Sequence, residues 1–348
     1  MASVTLDAGV GAGRFSGLGN HNFDAVHTGS SNDGLYKTLA RPLVHSVLSG
    51  FNALIFAYGQ TASGKTFTLS GDEKSGTEGI TQKAIKDLFR GIRASKRERE
   101  WLVRCSWLEV YNEGVKDLLE PTNVPQVRSS TTRGTFVSPL SEIIVTSPQA
   151  VYALLEQGQA NRHVNATDWN EKSSRSHTAF KIVVESWARG ADEAASSGDK
   201  KKVRISELVL VDLAGSEKYV TQGGKERRAE GANINKSLLT LGKVIYALSE
   251  RTNEDEANAT PGGGAGMHIP YRDSKLTRIL QSSLSGNSKI AVVATLNQSV
   301  GALEESLSTI NFAKRIKRVR LSAKLNEVDA PELMSQETQA LIVKYRSE

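Results

Sequence analysis

The sequence predicts an α/β fold, a central, mostly parallel sheet flanked by helices on both faces. Three observations point there. A short apolar run, Ala53 to Tyr58, feeds directly into Gly59-Gln60-Thr61-Ala62-Ser63-Gly64-Lys65-Thr66, which satisfies G-x-x-x-x-G-K-[ST] at every fixed position. A second strand-like segment, Val203 to Val211, apolar over its last four residues, delivers an acid, Asp212, at its C-terminal end. Between and beyond them, segments of strand length alternate with segments of helical periodicity.

Composition bounds the class. The chain has 348 residues, 39% apolar and 24% charged, enough for one large α/β domain or two ordinary ones with a sizeable core. Its one cysteine, Cys105, excludes a disulfide framework and fits a reducing compartment. No apolar run approaches the ~18 residues of a membrane span, and no basic-then-apolar leader opens the chain. A net charge of +6 favours an acidic partner without naming one.

In chain order, residues 1–20 are small and Gly-rich, with strand character only at Val4 to Leu6, and Phe23 to Val26 reads as a short strand. Leu35, Leu39, Leu43 and Val47 mark a helix that stops at Gly50. Ala53 to Tyr58 is a buried strand, and Ile80 to Arg93 an amphipathic helix. Trp101 to Tyr111 is a strand, and Val115 to Leu119 a short helical or extended piece. Residues 121–140, rich in Pro, Ser, Thr and Arg, read as an irregular loop. Ile143 to Val145 is a small strand; Ser147 and Pro148 cap a helix to Asn161. Thr178 to Trp187 and Val203 to Val211 are strands joined by a polar hairpin loop, 189–202. Ile234 to Arg251 is a long helix, followed by a flexible insertion, 252–266. Ser274 to Leu284 is helical, Lys289 to Asn297 a buried strand, and Leu303 to Val319 the last long helix. No internal repeat is visible.

The stretch 59–66 carries chemistry. Glycines let the backbone turn so that successive N–H groups face a polyphosphate. Lys65 can reach the outer phosphates, and the Thr66 hydroxyl can take one position on a magnesium ion. A following helix would turn its positive end to the phosphates. A random chain of this length shows the pattern with odds of about one in a hundred, and the strand before it lowers them further.

Two more strings stand beside it: Asn170-Glu171-Lys172-Ser173-Ser174-Arg175-Ser176-His177 and Asp212-Leu213-Ala214-Gly215-Ser216-Glu217. Together the three resemble the phosphate loop, switch I (NxxSSRSH) and switch II (DLAGSE) of the kinesin motor domain. Glu109-Val110-Tyr111-Asn112-Glu113 with Asp117-Leu118-Leu119, Asn233 to Leu238, and His268-Ile269-Pro270-Tyr271-Arg272-Asp273-Ser274-Lys275-Leu276-Thr277-Arg278 also resemble family segments, in family order. The match runs from about Phe23 to Val328. It is most similar to the kinesin-7 branch, with the centromere-associated and fungal polarity kinesins. A myosin would carry D-I-x-G-F-E at switch II, and a small GTPase would need an Asp after Asn235-Lys236-Ser237.

The resemblance implies a P-loop NTPase, a microtubule-stimulated ATPase using ATP/ADP and Mg2+. It implies that Gly59, Gln60, Thr61, Ala62, Ser63, Gly64, Lys65 and Thr66 bind nucleotide. Thr66 would contact Mg2+, joined by Ser174, with Asp212 acting through water. Ser173 and the Gly215 amide would meet the γ-phosphate or the lytic water, and Arg175 and Glu217 would latch the switches together. Lys225, Arg227, Arg228, Lys236, Arg272, Lys275 and Arg278 would face the microtubule, with Arg128 and Arg133 on a separate loop. The acidic insertion lacks the lysine-rich tether some kinesins place there. The implied organisation is a loose N-terminus (1–22), motor core (23–317), neck linker (318–328) and the start of a neck helix (329–348). In the linker, Val319 would dock and Asn326 latch. The expected partner is the microtubule, not nucleic acid or membrane, with a homodimer compatible through a coiled coil beyond the chain end. The expected location is cytoplasmic, on microtubules including the spindle, and the expected movement is plus-end directed.

One departure is large. The family's first strand, ending R-x-R-P beside the adenine, has no counterpart before Phe23, and the cover strand that pairs with a docked linker is missing too. Leu321 also replaces the usual linker Asn. Three accounts fit: a shortened sequence, a natural variant whose sheet tolerates the loss, or a weak ATPase that binds microtubules with little force. The expectation is weaker nucleotide affinity and lower force than in a complete motor.

Overall fold

The computed structural model describes residues 2–5, 20–131, 134–164, 174–189, 202–217, 225–257 and 268–329. Its strands are β1 (Ala2–Thr5), β2 (Asn20–Phe23), β3 (Asn52–Tyr58), β4 (Gly71–Asp72), β5 (Thr77–Glu78), β6 (Arg99–Tyr111), β7 (Gly114–Asp117), β8 (Gln126–Ser130), β9 (Gly134–Ser138), β10 (Ile143–Ile144), β11 (His177–Ala188), β12 (Lys202–Asp212), β13 (Ser288–Ala294) and β14 (Glu327–Asp329). Its helices are α1 (Asp33–Leu35), α2 (Arg41–Leu48), α3 (Lys65–Ser70), α4 (Ile80–Ser95), α5 (Pro148–Val164), α6 (Lys225–Ala257), α7 (Lys275–Ile279), α8 (Gln281–Leu284) and α9 (Leu303–Ile316). A π-helical turn, Tyr36–Ala40, joins α1 to α2.

The central sheet runs β10-β6-β11-β12-β3-β13, with β7 on β6 and β14 on β12. Alternation on β3 explains why its sequence is apolar throughout. Ala53, Ile55 and Ala57 join a core with Val44 and Val47 of α2, Ile80, Ile85 and Leu88 of α4, and Val151 of α5. Leu54, Phe56 and Tyr58 point the other way, to Leu241, Val244 and Ile245 of α6, Leu276 of α7, Leu284 of α8 and Phe312 of α9. A strand buried on both faces reads as a continuous apolar run rather than an alternating one. Tyr58 stacks on Phe312 at 3.9 Å between ring centroids.

Several expectations need correction. The sheet is mixed, not mostly parallel: only β12·β3 and β13·β3 are parallel, while β6·β11 and β11·β12 are antiparallel. Antiparallel neighbours need no crossover connection between them. Within the stretch read as irregular loop, Gln126–Ser130 and Gly134–Ser138 pair as antiparallel strands β8 and β9, with Val127 opposite Val137. Their β-branched residues support pairing that the surrounding Pro and Ser conceal. The long helix starts at Lys225 and reaches Ala257, taking in residues read as loop at both ends. The last helix stops at Ile316. At the N-terminus, β1 and β2 pair with each other in a separate two-stranded sheet, so the stretch read as loose is anchored at both its ends. Residues 332–348 and the end of the insertion lie outside the described residues.

The expected gap in the sheet has a counterpart. Among the described residues β13 pairs with β3 alone, and its strand is only partly buried. A groove of about 1360 Å³ runs alongside it, from Ser63, Gly64 and Phe67 to Leu321 and Ala323. After α9 the chain crosses back along the sheet. Asn326 N–H donates to Gly50 O at 3.0 Å, Ile205 N–H donates to Asn326 O at 3.0 Å, and β14 then pairs with β12.

Helices α2 and α4 are joined by a buried polar contact. Tyr36 Oη donates to Asp87 Oδ2 at 2.9 Å, and Arg41 Nε lies 3.4 Å from the same oxygen. Burial and the Asp87 carboxylate push the Tyr36 phenol well above its usual range. Asp87→Ala would leave the phenol buried without this acceptor, and we expect it to lower unfolding stability by about 1–3 kcal/mol in urea titration. Unchanged stability would show that the contact adds nothing.

Candidate functional site

The site sits where the two parallel neighbours β3 and β12 end. Register places Asp212 opposite Ala57, so β12 delivers its terminal acid beside the loop that follows β3. Gly59 must be glycine because a Cβ there would collide with the Thr295 backbone oxygen. Gly64 has φ 101° and turns the chain into α3, a left-handed conformation that costs glycine little.

Within the loop, Lys65 Nζ donates to Gly59 O at 2.9 Å and Gln60 O at 2.8 Å. Burial pulls its pKa down, and the charges of Asp212 and Glu217 push back. Thr66 Oγ1 donates to Asp212 Oδ2 at 2.6 Å. Asp212 Oδ1 is buried without a hydrogen-bond partner, and burial raises the pKa of this carboxyl. An unpartnered carboxylate oxygen beside a threonine hydroxyl fits Mg2+, which takes few protein oxygens and fills its octahedron with phosphate oxygens and water. No cluster of three or more acidic, His or Cys ligands occurs among the described residues, which suits that division of ligands. Ser63 Oγ donates to Gln60 O at 2.7 Å and lies 2.6 Å from Thr295 Oγ1, bracing the loop against the end of β13.

The Asp212–Glu217 segment is tied to the loop. Ser216 N–H donates to Gly59 O at 3.0 Å. Glu217 Oε2 accepts from Thr61 N–H at 2.7 Å, and its other oxygen contacts Thr61 Oγ1. A carboxylate on a phosphate-loop amide shows that the loop attracts anions, as its inward N–H groups should. The segment is tied equally to residues 174–177. Gly215 N–H donates to Ser174 O at 2.8 Å, so its amide is engaged by the neighbouring segment in this structure. Ala214 N–H donates to His177 Nδ1 at 2.9 Å. Behind them Arg162 donates to Ser176 Oγ at 2.9 Å and lies 3.4 Å from Glu109. Arg175 lines a small recess with Asn112, Glu113, Asn233 and Ser237. Ser173 lies outside the described residues.

A second face gathers cations. Lys236 on α6 and Arg272 are exposed; Lys275 and Arg278 on α7 are half-buried. Lys225, Arg227 and Arg228 lie on the first turns of α6, and only their backbone is described; Arg133 is outside. The β8–β9 hairpin is not separate from this face: Arg278 Nη2 donates to Ser129 Oγ at 2.9 Å, which brings exposed Arg128 beside α7. Sequence reading missed the apolar members. Leu239 is 62% and Tyr246 48% exposed on α6. With Lys236 and Lys243 they follow one stripe at three- and four-residue spacing, a signal that periodicity alone assigns to the core.

The turn between β6 and β7 links the two faces. Asn112 and Glu113 have φ 52° and 58°, as a two-residue hairpin of the primed type requires. Asn112 Oδ1 accepts from Asn233 on α6 at 2.6 Å. Glu113 accepts from Ser274 Oγ at 2.8 Å and from Lys275 N–H at 2.9 Å, capping α7.

A phosphate-binding loop flanked by two segments hydrogen-bonded across it, on a mixed sheet with helices on both faces, defines a P-loop nucleotide-binding protein with two switch segments. Residues 17–319 match the kinesin motor domain, and the chain belongs to that family. It is 41% identical over 335 residues to kinesin-related protein 4 of Dictyostelium discoideum, covering 94% of this chain and 16% of that protein. It is 43% identical to kinesin-like protein KIN-7N of Arabidopsis thaliana, covering 89% of this chain and 36% of that one. Thus the chain spans well under half the length of these relatives. The solved structure of a fast kinesin superposes with a TM-score of 0.77 at 36% identity, covering 92% of this chain and 85% of the other.

His177 sets a pH dependence. Burial, then the charges of Lys65 and Arg162, lower its pKa from 6.5 to about 3. Between those values the unfolded chain binds more protons than the folded one, so stability falls as pH drops through that window. We expect acid titration of unfolding stability to show this loss, and His177→Gln to remove that component. An identical profile in the variant would contradict the neutral imidazole.

Proposed function

We propose that this chain is the ATP-hydrolysing, track-binding part of a microtubule motor, and that nucleotide state controls its grip. The observation that supports this most is that the second switch segment bonds both the phosphate loop, Glu217 on Thr61, and the first switch segment, Gly215 on Ser174. ATP and ADP with magnesium are the ligands. When bound, the ion neutralises charge on the transferred phosphoryl oxygens; Thr66 and Ser174 would hold it, with Asp212 acting through a bound water. Lys65 exchanges its carbonyl partners for phosphate oxygens, a switch made easy by the pull of an anion on a buried ammonium. Gly215 and Ser173 meet the γ-phosphate or the lytic water as the segments close, and Arg175 with Glu217 keeps them closed while water attacks.

The track surface is the cationic face of α6, α7 and the β8–β9 hairpin. Lys225, Arg227, Arg228, Lys236, Arg272, Lys275 and Arg278 supply attraction to an acidic tubulin surface, which salt weakens, and Leu239 and Tyr246 supply apolar contact. Residues 318–328 act as a neck linker. Val319 packs against the α6-side core, and the two backbone bonds of Asn326 hold the linker against Gly50 and Ile205 of β12. A linker that follows the motor core favours plus-end-directed movement. Homodimerisation would rest on residues outside the described ones.

Glu217→Ala is expected to abolish steady-state hydrolysis while leaving nucleotide binding largely intact, measured by phosphate release and fluorescent-nucleotide titration. Unchanged turnover would remove Glu217 from the mechanism.

The open edge of β13 favours a second reading, a microtubule-binding module with weak ATPase and little autonomous movement. The groove begins at the phosphate loop, so the base end of the nucleotide meets an incomplete wall. On this reading nucleotide affinity and stall force are lower than in a kinesin with a complete sheet. Equal values in calorimetry and an optical trap would exclude it.

A further inference from the structure

Beyond the switch residues themselves, one buried side chain touches three elements that must move together. His177 begins β11, immediately after the first switch segment, and is 3% exposed. Its Nδ1 accepts the Ala214 N–H of the second switch segment at 2.9 Å. That acceptor role places the ring proton on Nε2, which lies 2.8 Å from Ser237 Oγ on α6. The Ser237 hydroxyl in turn donates to Ile234 O at 2.8 Å, so it can only accept from the ring. Every proton in the chain Ala214 N–H, His177, Ser237, Ile234 O is thereby assigned. No water is needed to complete it, and Ser237 is itself 3% exposed.

Geometry makes this chain more than a packing contact. Ala214 adjoins Gly215, whose amide is bonded to Ser174. Ser237 lies one residue from exposed Lys236 and two from exposed Leu239 on the proposed track face. A displacement of the second switch must therefore either stretch a buried hydrogen bond or carry α6 with it, and an unmade buried bond is costly. Other contacts at the junction, Asn112 to Asn233 and Glu113 to α7, reach the track-side helices from the β6–β7 turn, which lines a small recess with Arg175 of the first switch; the bond from this junction to Ala214 of the second switch is made by His177.

We propose that His177 is a positioning residue that couples the second switch to α6 through a neutral, Nε2-protonated imidazole, so that track binding and nucleotide turnover report to each other through its two hydrogen bonds. It touches no substrate atom; its role is to make the switch and the helix move as one. The inference rests on the microtubule-stimulated ATPase reading and deepens it.

Two conservative variants split the bonds. In His177→Asn, the amide oxygen can take the place of Nδ1 and keep Ala214 while losing Ser237. In His177→Gln, the amide nitrogen can take the place of Nε2 and keep Ser237 while losing Ala214. Ser237→Ala removes the far partner with little change in helix propensity. The measurement is the ratio of microtubule-stimulated to basal ATPase, alongside thermal melting. Each of the three variants should lower the ratio at least about fivefold while melting cooperatively. Ser237→Ala should lower it no further when added to His177→Asn, since that bond is already gone. A merely structural role would shift melting and leave the ratio in place. Full stimulation in His177→Asn and Ser237→Ala would overturn the inference, as would an undiminished Ser237→Ala effect in the His177→Asn background. If His177→Asn fails to fold, Ser237→Ala alone decides by the same ratio. Absence of stimulation in the unaltered protein would instead overturn the functional reading, and this inference with it.

Discussion

The parallel pairing of β3 with β12 is the constraint on which the rest depends. β3 and the Leu208–Val211 end of β12 are buried on both faces, so a slip of one residue would exchange the side chains that face the two cores. That register sets Asp212 opposite Ala57 and so fixes where the acid stands relative to the phosphate loop. The hydrogen bond from Thr66 to Asp212, the burial of Lys65 and the closeness of Glu217 to Thr61 all follow from two strand ends held side by side. Ligand sites in open α/β sheets form at such carboxyl ends for this reason.

Around that fixed floor the structure places movable walls and their connections. Residues 174–177 and 212–217 bond to each other through backbone groups, and Glu217 reaches the loop with its side chain. From these walls two routes lead to the cationic face: one through His177 and Ser237 into α6, the other through the β6–β7 turn into α6 and α7. The second explains why Glu113 tolerates a positive φ, a conformation that costs a non-glycine residue on the order of 1 kcal/mol or more: its carboxylate is spent on the N-terminus of α7. At the far side, the return of residues 319–329 along β12 ties the end of the core to the same strand that carries Asp212.

The phosphate loop was legible in the sequence because its chemistry is local: glycines, a lysine and a threonine at fixed spacing behind an apolar strand. The family segments were legible as strings, and their order along the chain is kept in the fold. Strand direction was legible only in part: the hairpin loop read at 189–202 fits the antiparallel β11·β12 pair, but whether β6 and β11 run parallel or antiparallel depends on how the long connection between them travels in space. The β8–β9 hairpin hid among Pro, Ser and Thr, and α6 hid its ends because polar residues on an exposed helix resemble loop. Leu239 and Tyr246 went unmarked because they share their stripe with Lys236 and Lys243, and only the fold shows that face uncovered. His177 closed a motif string without an evident task, since its partners Ala214 and Ser237 lie far along the chain. Among the described residues β13 pairs with β3 alone, and nothing local in its sequence marks it as an edge strand.

The central claim is that the phosphate site and the cationic face are two ends of one coupled device. It is tested most directly by the affinity of this chain for microtubules, measured by co-sedimentation in saturating ADP and in a non-hydrolysable ATP analogue. The account predicts binding tighter in the analogue by at least about fivefold, the lower range of coupling between linked sites. Equal affinity in the two nucleotides would contradict it.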